Sequence, residues 1–378
     1  MKHLAIIALI LSSFVAQAQE IPVFSRKTPT LKELVPFRLG VAVSTPQVEA
    51  LGSGSRKEKL IARHFNQVVA ENCMKSFALQ PREGEFHFDV ADKFVDWARA
   101  NNLAVVGHVL VWHSQLPVWF TKNADGSLCS RETLLARMEN HIKTVVAHFK
   151  GRVYAWDVVN EAIEADGSYR RNDFFKILGE EYIDAAFKFA NEADPDIQLW
   201  YNDYGNESAA KNAAIAALVR RLKDSGLRID GVGLQTHVRI DEPSVDAYED
   251  AINTISAEGV KLAITELDVS VLPAAWNLSA EISNRAAYDA KYNPWPEGRL
   301  PDDVNGRLGE RYRELFLLFR RYSSIIERVT LWGLSDGDSW LNDFPMAGRT
   351  DYPLLFDRSL RLKPWARRAL AGQKLRDR

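Results

Sequence analysis

Gly231-Val-Gly-Leu-Gln-Thr-His237 and Leu262-Ala-Ile-Thr-Glu-Leu-Asp268 are two runs of strand length, joined through an amphipathic helical stretch from Ser244 to Ala257. Strand, helix and strand at this spacing make a βαβ unit, whose strands run parallel because the helix carries the chain back across the sheet. Side chains alternate along a strand. One face of the first run therefore carries Gly231, Gly233, Gln235 and His237, and one face of the second carries Leu262, Ile264, Glu266 and Asp268. Small residues low down, with Gln and His at the top, describe an inward face that opens into a site. Two carboxylates at the end of the next strand point to the same place.

Outward from this unit the pattern repeats. Further strands are predicted at Phe37–Val43, Gln67–Glu71, Leu103–Leu110, Val153–Val159, Ile197–Tyr201 and Arg328–Trp332, and further helices at Ala91–Arg99, Thr133–Phe149, Phe175–Ala190 and Ala209–Ser225. Eight strands alternating with helices predict a single-domain α/β protein, a (β/α)8 TIM barrel. The chain has 378 residues, and a barrel with insertions uses about 250 or more. An open doubly wound sheet is the structural alternative, but no Gly-rich phosphate loop follows an early strand. No repeat, low-complexity tract or Ser/Gly/Pro-rich linker interrupts the chain, so no attached module is expected. The stretch from Val269 to Glu327 is long for one connection. Its Trp276–Pro301 part is rich in proline and aromatics, and a helix around Arg311–Tyr322 follows. Its aromatics Trp276, Tyr292 and Trp295 fit an extension of the site and a cover for the barrel wall equally well.

Lys2 and His3 precede an apolar run from Leu4 to Val15, and Ala16-Gln17-Ala18 is a small-residue cleavage pattern. Residues 1–18 read as a secretory signal peptide, leaving a mature chain of residues 19–378 that works in the periplasm or outside the cell. A net charge of −2 gives no pull toward nucleic acid or an anionic membrane. No further apolar stretch reaches membrane-spanning length. Cys73 and Cys129 are too few for a structural zinc site. Export permits a disulfide, but two unpaired thiols are the expectation. The protein is expected to be a monomer without metal or cofactor.

In such barrels the C-terminal strand ends carry the chemistry. Glu266 and Asp268 side by side would repel, and one would take up a proton unless a cation relieved them. His237, on the preceding strand, is placed to bridge them, and a carboxylate held ionised in this way is a ready nucleophile. The same cluster also fits an ion-pair network closing the barrel rim. Tyr154-Ala-Trp-Asp-Val-Val-Asn-Glu161 ends another strand with Asn160 and Glu161. A regular strand sends these two to opposite sides, so if both serve one site the strand must end there. Glu161 equally fits the first turn of a helix, where acids are favoured. In Val106-Gly-His-Val-Leu-Val-Trp112, His108 and Trp112 share a face. His113 points away on a regular strand, which argues against a metal centre built from His108, His113, His237, Glu266 and Asp268.

Together these segments resemble glycoside hydrolase family 10, the retaining xylanases. Trp156-Asp-Val-Val-Asn-Glu-Ala162 is similar to the family's acid/base segment and Ile264-Thr-Glu-Leu-Asp268 to its nucleophile segment. Gly107-His-Val-Leu-Val-Trp-His-Ser-Gln115, Glu71-Asn-Cys-Met-Lys75, Pro81-Arg-Glu-Gly-Glu-Phe86, Gly231–His237 and Leu331-Trp-Gly-Leu-Ser-Asp-Gly-Asp-Ser-Trp340 resemble further motifs, in family order, over about Leu39 to Trp365. The resemblance implies a secreted endo-1,4-β-xylanase acting on xylan and xylo-oligosaccharides. The alternative is a β-glycan-binding protein of the same fold with little or no activity. In the enzyme, Glu266 would attack the anomeric carbon, and Glu161 would protonate the departing oxygen and then activate water, with the two carboxyl groups roughly 5–5.5 Å apart. His237 would hold Glu266, and Asp268 would hold His237. Asn160 would bond the 2-hydroxyl of the sugar being cut. Lys75, His108, Trp112, Gln235 and Trp332 would line the same subsite, and Glu71, Asn72, Gln115 and Trp340 the next. Tyr204 would face the leaving group. Ser76 and Gly205 depart from the family pattern, where Trp and Asn are common, and put sugar binding around them in doubt.

Overall fold

The computed structural model describes residues 28–275, 278 and 285–375. The signal peptide expected over residues 1–18, and Trp276, lie outside the described residues. Nine strands are assigned among the described residues: β1 (Arg38–Val43), β2 (Gln67–Ala70), β3 (Ala104–Val111), β4 (Ala155–Asn160), β5 (Gln198–Asp203), β6 (Gly231–Leu234), β7 (His237–Arg239), β8 (Lys261–Ser270) and β9 (Ile326–Leu331). They pair in parallel from β1 to β6. β6 then pairs with β8, β8 with β9, and β9 with β1, so the sheet closes on itself. β7 pairs with β8 above β6. β6 and β7 are therefore two halves of one barrel strand, and the ring has the eight positions of a (β/α)8 barrel.

The helices that return the chain are α1 (Arg56–His64), α2 (Asp89–Ala100), α3 (Arg131–His148), α4 (Glu181–Ala193), α5 (Ala209–Asp224), α6 (Val245–Ser256), α7 (Asp302–Arg321) and α8 (Ala366–Leu370). Ser55, Ser130, Ser208 and Ser244 each accept a backbone N–H at a helix start, worth about 1 kcal/mol apiece. The long core layer lies between helices and strands. A second layer fills the barrel with Ala42, Val69, Val106, Ala155, Trp200 and Ala263 below Trp332. Trp200 is fully buried, with the Arg328 guanidinium 3.9 Å from its ring centre. A Cβ on Gly231 would sit 2.3 Å from the Trp200 ring, and one on Gly233 2.3 Å from Asn202 Oδ1. Both glycines face inward, as the alternation predicts, and make room for larger neighbours.

Two expectations need correction. The helix predicted over Phe175–Ala190 is two helices, Asp173–Leu178 and α4. They part at Gly179, whose φ of +63° a residue without Cβ adopts freely. The inward face of β8 is out of phase with the one read from the sequence. Leu262, Ile264 and Leu267 lie in the outer layer, and Ala263 faces the barrel interior. Leu234 pairs with Ile264 but His237 with Asp268, so β8 carries one extra residue there. This bulge turns Thr265 and Glu266 to the inside together. Of the two readings open for the long connection, Trp295 follows the second: it packs on the outer core and its carbonyl accepts the Tyr352 hydroxyl at 2.8 Å. Here the connection covers the barrel wall. Cys73 and Cys129 are buried free thiols.

Candidate active site

The strand ends open on a cleft of about 810 Å3. Every site residue read from the sequence lines it except Asp268, which sits behind His237. Departures from regular strand geometry bring these side chains together. β4 stops at Asn160, and Glu161 takes a left-handed backbone, φ +58°, so two consecutive residues turn into the cleft. Thr236, φ +65°, separates Gln235 from His237 at the β6–β7 break, and Gln115 has φ +47°. A non-glycine residue held there costs about 1–3 kcal/mol. Three such residues around one cleft mark a place where geometry has been kept against local preference.

Glu266 is 5% exposed. Its Oε1 accepts from Asn202 Nδ2 at 2.8 Å and its Oε2 lies 3.2 Å from His237 Nε2. His237 Nδ1 lies 3.0 Å from Asp268 Oδ2, which also accepts from Trp340 Nε1 at 2.8 Å. Burial opposes charge on His237, but the Asp268 charge and hydrogen bond, with those of Glu266, outweigh it and raise the imidazole to about 10. Burial likewise opposes charge on Glu266. The His237 hydrogen bond, the His108 and His237 charges and the Asn202 amide outweigh it and hold the carboxyl below the usual range. Both ring nitrogens of His237 are engaged by carboxylates, so it has no lone pair to offer a metal ion.

Glu161 differs. Its Oε1 accepts from Gln235 Nε2 at 2.9 Å and Asn160 Nδ2 at 3.0 Å, and its Oε2 from Trp112 Nε1 at 2.9 Å. All three donors are neutral. The Glu161 backbone N–H donates to Asn202 O at 2.9 Å and its carbonyl accepts from Arg170 Nε at 3.0 Å. The two carboxylates are joined through amides, because Asn202 Nδ2 also donates to Asn160 Oδ1 at 2.9 Å.

Around them, Lys75 donates to Gln115 Oε1 at 2.6 Å and Asn72 Oδ1 at 3.2 Å, with its ammonium 4.8 Å from the Trp112 ring centre. Burial pulls Lys75 down to about 8 against the charges of Glu71, Glu266 and Glu161. Burial raises Glu71 despite Lys75. His108 Nδ1 lies 3.0 Å from Asp157 Oδ2 inside the barrel, and its ring meets Trp332 edge-on. Tyr204 OH accepts from Arg170 at 2.7 Å on the Glu161 side. Ser76 turns away from the cleft, with Oγ 3.3 Å from His141 Nε2, and Gly205 lines it with φ +68°.

His113, expected to point away, lines the cleft. β3 ends at Val111, so alternation no longer governs it. Burial pushes its imidazole down to about 4, with Arg170 acting in the same sense against Glu161. Asn202 and Arg170 were not singled out from the sequence. A polar pair, Asn202-Asp203, at a strand end was the available signal for Asn202; Arg170 lies in a loop and carried none. Among the described residues, no three His, Cys, Asp or Glu side chains converge as a metal site.

Such a site holds one carboxylate as an anion beside a second carboxylate on neutral donors, which is the equipment for acid/base-assisted displacement at a glycosidic centre. The comparisons agree. Residues 31–371 match the model of glycosyl hydrolase family 10. An endo-1,4-beta-xylanase A of Xylanibacter ruminicola is 41% identical over 90% of this chain and 92% of its own length. A GH10 endoxylanase from a sugarcane soil metagenome superposes with a TM-score of 0.85 at 44% identity, covering 90% of this chain and 99% of its own. An intracellular xylanase of Thermoanaerobacterium saccharolyticum, solved as a mutant with xylotetraose, gives 0.78 at 35% identity, covering 91% and 98%. This chain belongs to glycosyl hydrolase family 10.

Proposed function

We propose that this chain is an endo-1,4-β-xylanase that cleaves internal bonds of xylan by double displacement with retention. One observation carries the reading: Glu266 is held ionised by a charged His237, while Glu161 meets only neutral side-chain donors. Glu266 attacks the anomeric carbon and forms a glycosyl-enzyme. Glu161 gives its proton to the departing oxygen and then takes one from the incoming water. One carboxyl thus serves as acid in the first step and as base in the second. Asn160 holds the 2-hydroxyl of the sugar being cut. Glu71, Asn72, Lys75, Gln115 and Trp340 hold the glycone chain, and Tyr204 faces the leaving group. The xylanase relatives and the xylotetraose complex of a neighbour support the substrate. We also infer export, from the apolar leader and its small-residue cleavage pattern.

The test is incubation with linear and arabinose-substituted xylan, with cellulose as control, and chromatography of products over time. Short xylo-oligosaccharides from xylan with cellulose intact is the expected result. No product from any β-1,4-glycan overturns the assignment.

A further inference from the structure

Glu161 stands in a turn that local preference opposes. Its φ of +58° is one that residues with a Cβ rarely adopt, so tertiary contacts must hold it. Three of them reach the backbone on either side of its side chain. The Glu161 N–H donates to Asn202 O at 2.9 Å, its carbonyl accepts from Arg170 Nε at 3.0 Å, and the Ala162 N–H donates to the Tyr201 hydroxyl at 3.0 Å. Ala162 and Tyr201 are both fully buried, so this last N–H is shut off from water and depends on its protein partner.

The Tyr201 hydroxyl is itself fixed from behind. It donates to Asp203 Oδ2, and Asp203 Oδ1 lies 2.7 Å from the Lys211 amine of α5. Asp203 and Lys211 are buried as well. Burial and the Asp203 charge push the Tyr201 hydroxyl well above its ordinary range, so its proton stays toward Asp203 and a lone pair faces Ala162. Asp203 Oδ1 also accepts the Tyr204 N–H at 2.9 Å, and Lys211 Nζ lies 4.2 Å from the Tyr204 ring centre. The end of β5 thus serves both carboxylates. Asn202 faces the cleft and bonds Glu266, while Tyr201 and Asp203, on the opposite face of the strand, hold the turn of Glu161.

We propose that Tyr201, backed by Asp203 and Lys211, is the positioning residue for the acid/base carboxyl of Glu161. The proposal rests on the reading of Glu161 given above. The hydroxyl at 201 fixes the Ala162 N–H, and with it the peptide that follows Glu161. Without the hydroxyl that peptide relaxes from the strained turn, and the carboxyl moves relative to the departing oxygen. Proton transfer demands hydrogen-bond reach, and a displacement of about 1 Å costs on the order of 10^2-fold in rate. Glu266 is held by other groups, His237 and Asn202, so its attack survives the same change.

Tyr201→Phe removes the hydroxyl and keeps the ring. The experiment measures kcat/KM for dinitrophenyl xylobioside, whose leaving group departs without a proton, and phenyl xylobioside, whose leaving group needs one. Tyr201→Phe should lower the phenyl value by roughly 10–10^2-fold and the dinitrophenyl value by less than about twofold. Tyr312→Phe is the control. It deletes another buried hydroxyl, on α7, whose bond goes to Pro353 O. It should lower the melting temperature and leave the ratio of the two substrates unchanged. Should Tyr201→Phe not fold, Asp203→Asn carries the same test, because it weakens the hold on the hydroxyl, and the selective loss on the phenyl substrate should be smaller. Equal losses on the two substrates, a larger loss on the dinitrophenyl one, or no loss overturns the proposal. A wild type that cleaves neither aryl glycoside instead overturns the enzyme reading beneath it.

Discussion

Glu266 and Glu161 stand at the mouth of one barrel, and their surroundings differ in backbone and in charge. Glu266 lies within β8 at a bulge and receives a charged imidazole backed by Asp268. Glu161 lies just past the end of β4 in a left-handed turn and receives two amides and an indole. Glu266 thus has a charged partner that holds it as an anion, whereas the side-chain donors to Glu161 are all neutral. In the proposed mechanism the same residue type takes two roles according to its neighbours.

The largest expected effect comes from removing the fixed anion. Glu266→Ala should lower kcat on every xylan or aryl xyloside by on the order of 10^5-fold or more, as nucleophile deletions do. Binding of xylo-oligosaccharide by calorimetry should survive. Glu161→Ala should separate the two carboxylates. Turnover of xylan, with its basic leaving group, should drop roughly 10^2–10^4-fold, the usual worth of a general acid, while a dinitrophenyl xylobioside should still form the glycosyl-enzyme quickly. Equal losses on both substrates would erase the contrast.

His237→Asn keeps a donor but removes the charge, and should cost roughly 10^2-fold in kcat, read on the same aryl glycoside. It should also change the pH dependence of stability. His237 in the fold titrates at about 10 against 6.5 for the free side chain. Its contribution is therefore complete below pH 6.5 and is lost as pH rises from 6.5 to about 10. Thermal unfolding between pH 7 and 10 should fall more steeply for wild type than for His237→Asn. A chelator should produce the smallest effect, no change in rate, because both His237 nitrogens are committed to carboxylates.

Much of this contrast was legible in the residues. The inward glycines of β6 follow from simple alternation, the His237–Asp268 contact from carboxylates two apart beside a histidine on the preceding strand, and the demand that β4 end at Asn160 from asking Asn160 and Glu161 to share a site. What alternation missed lies where alternation stops. The β8 bulge moved Leu262 and Ile264 outward while keeping Glu266 inside. The end of β3 at Val111 let His113 turn into the cleft. Asn202, which bonds Glu266 and Asn160 at once, escaped because its importance lies in contacts between strands, not in its own. Gly179 split a helix whose apolar period ran straight through it.

In the proposed mechanism Glu266 forms the covalent bond to the sugar. The direct measurement is peptide mass spectrometry after reaction with an activated 2-deoxy-2-fluoro-xylobioside, which slows hydrolysis of a glycosyl-enzyme. One added fluoroxylobiosyl group is expected on the peptide containing Glu266, at that side chain. An adduct on Glu161, or complete turnover with inversion and no adduct, would contradict it.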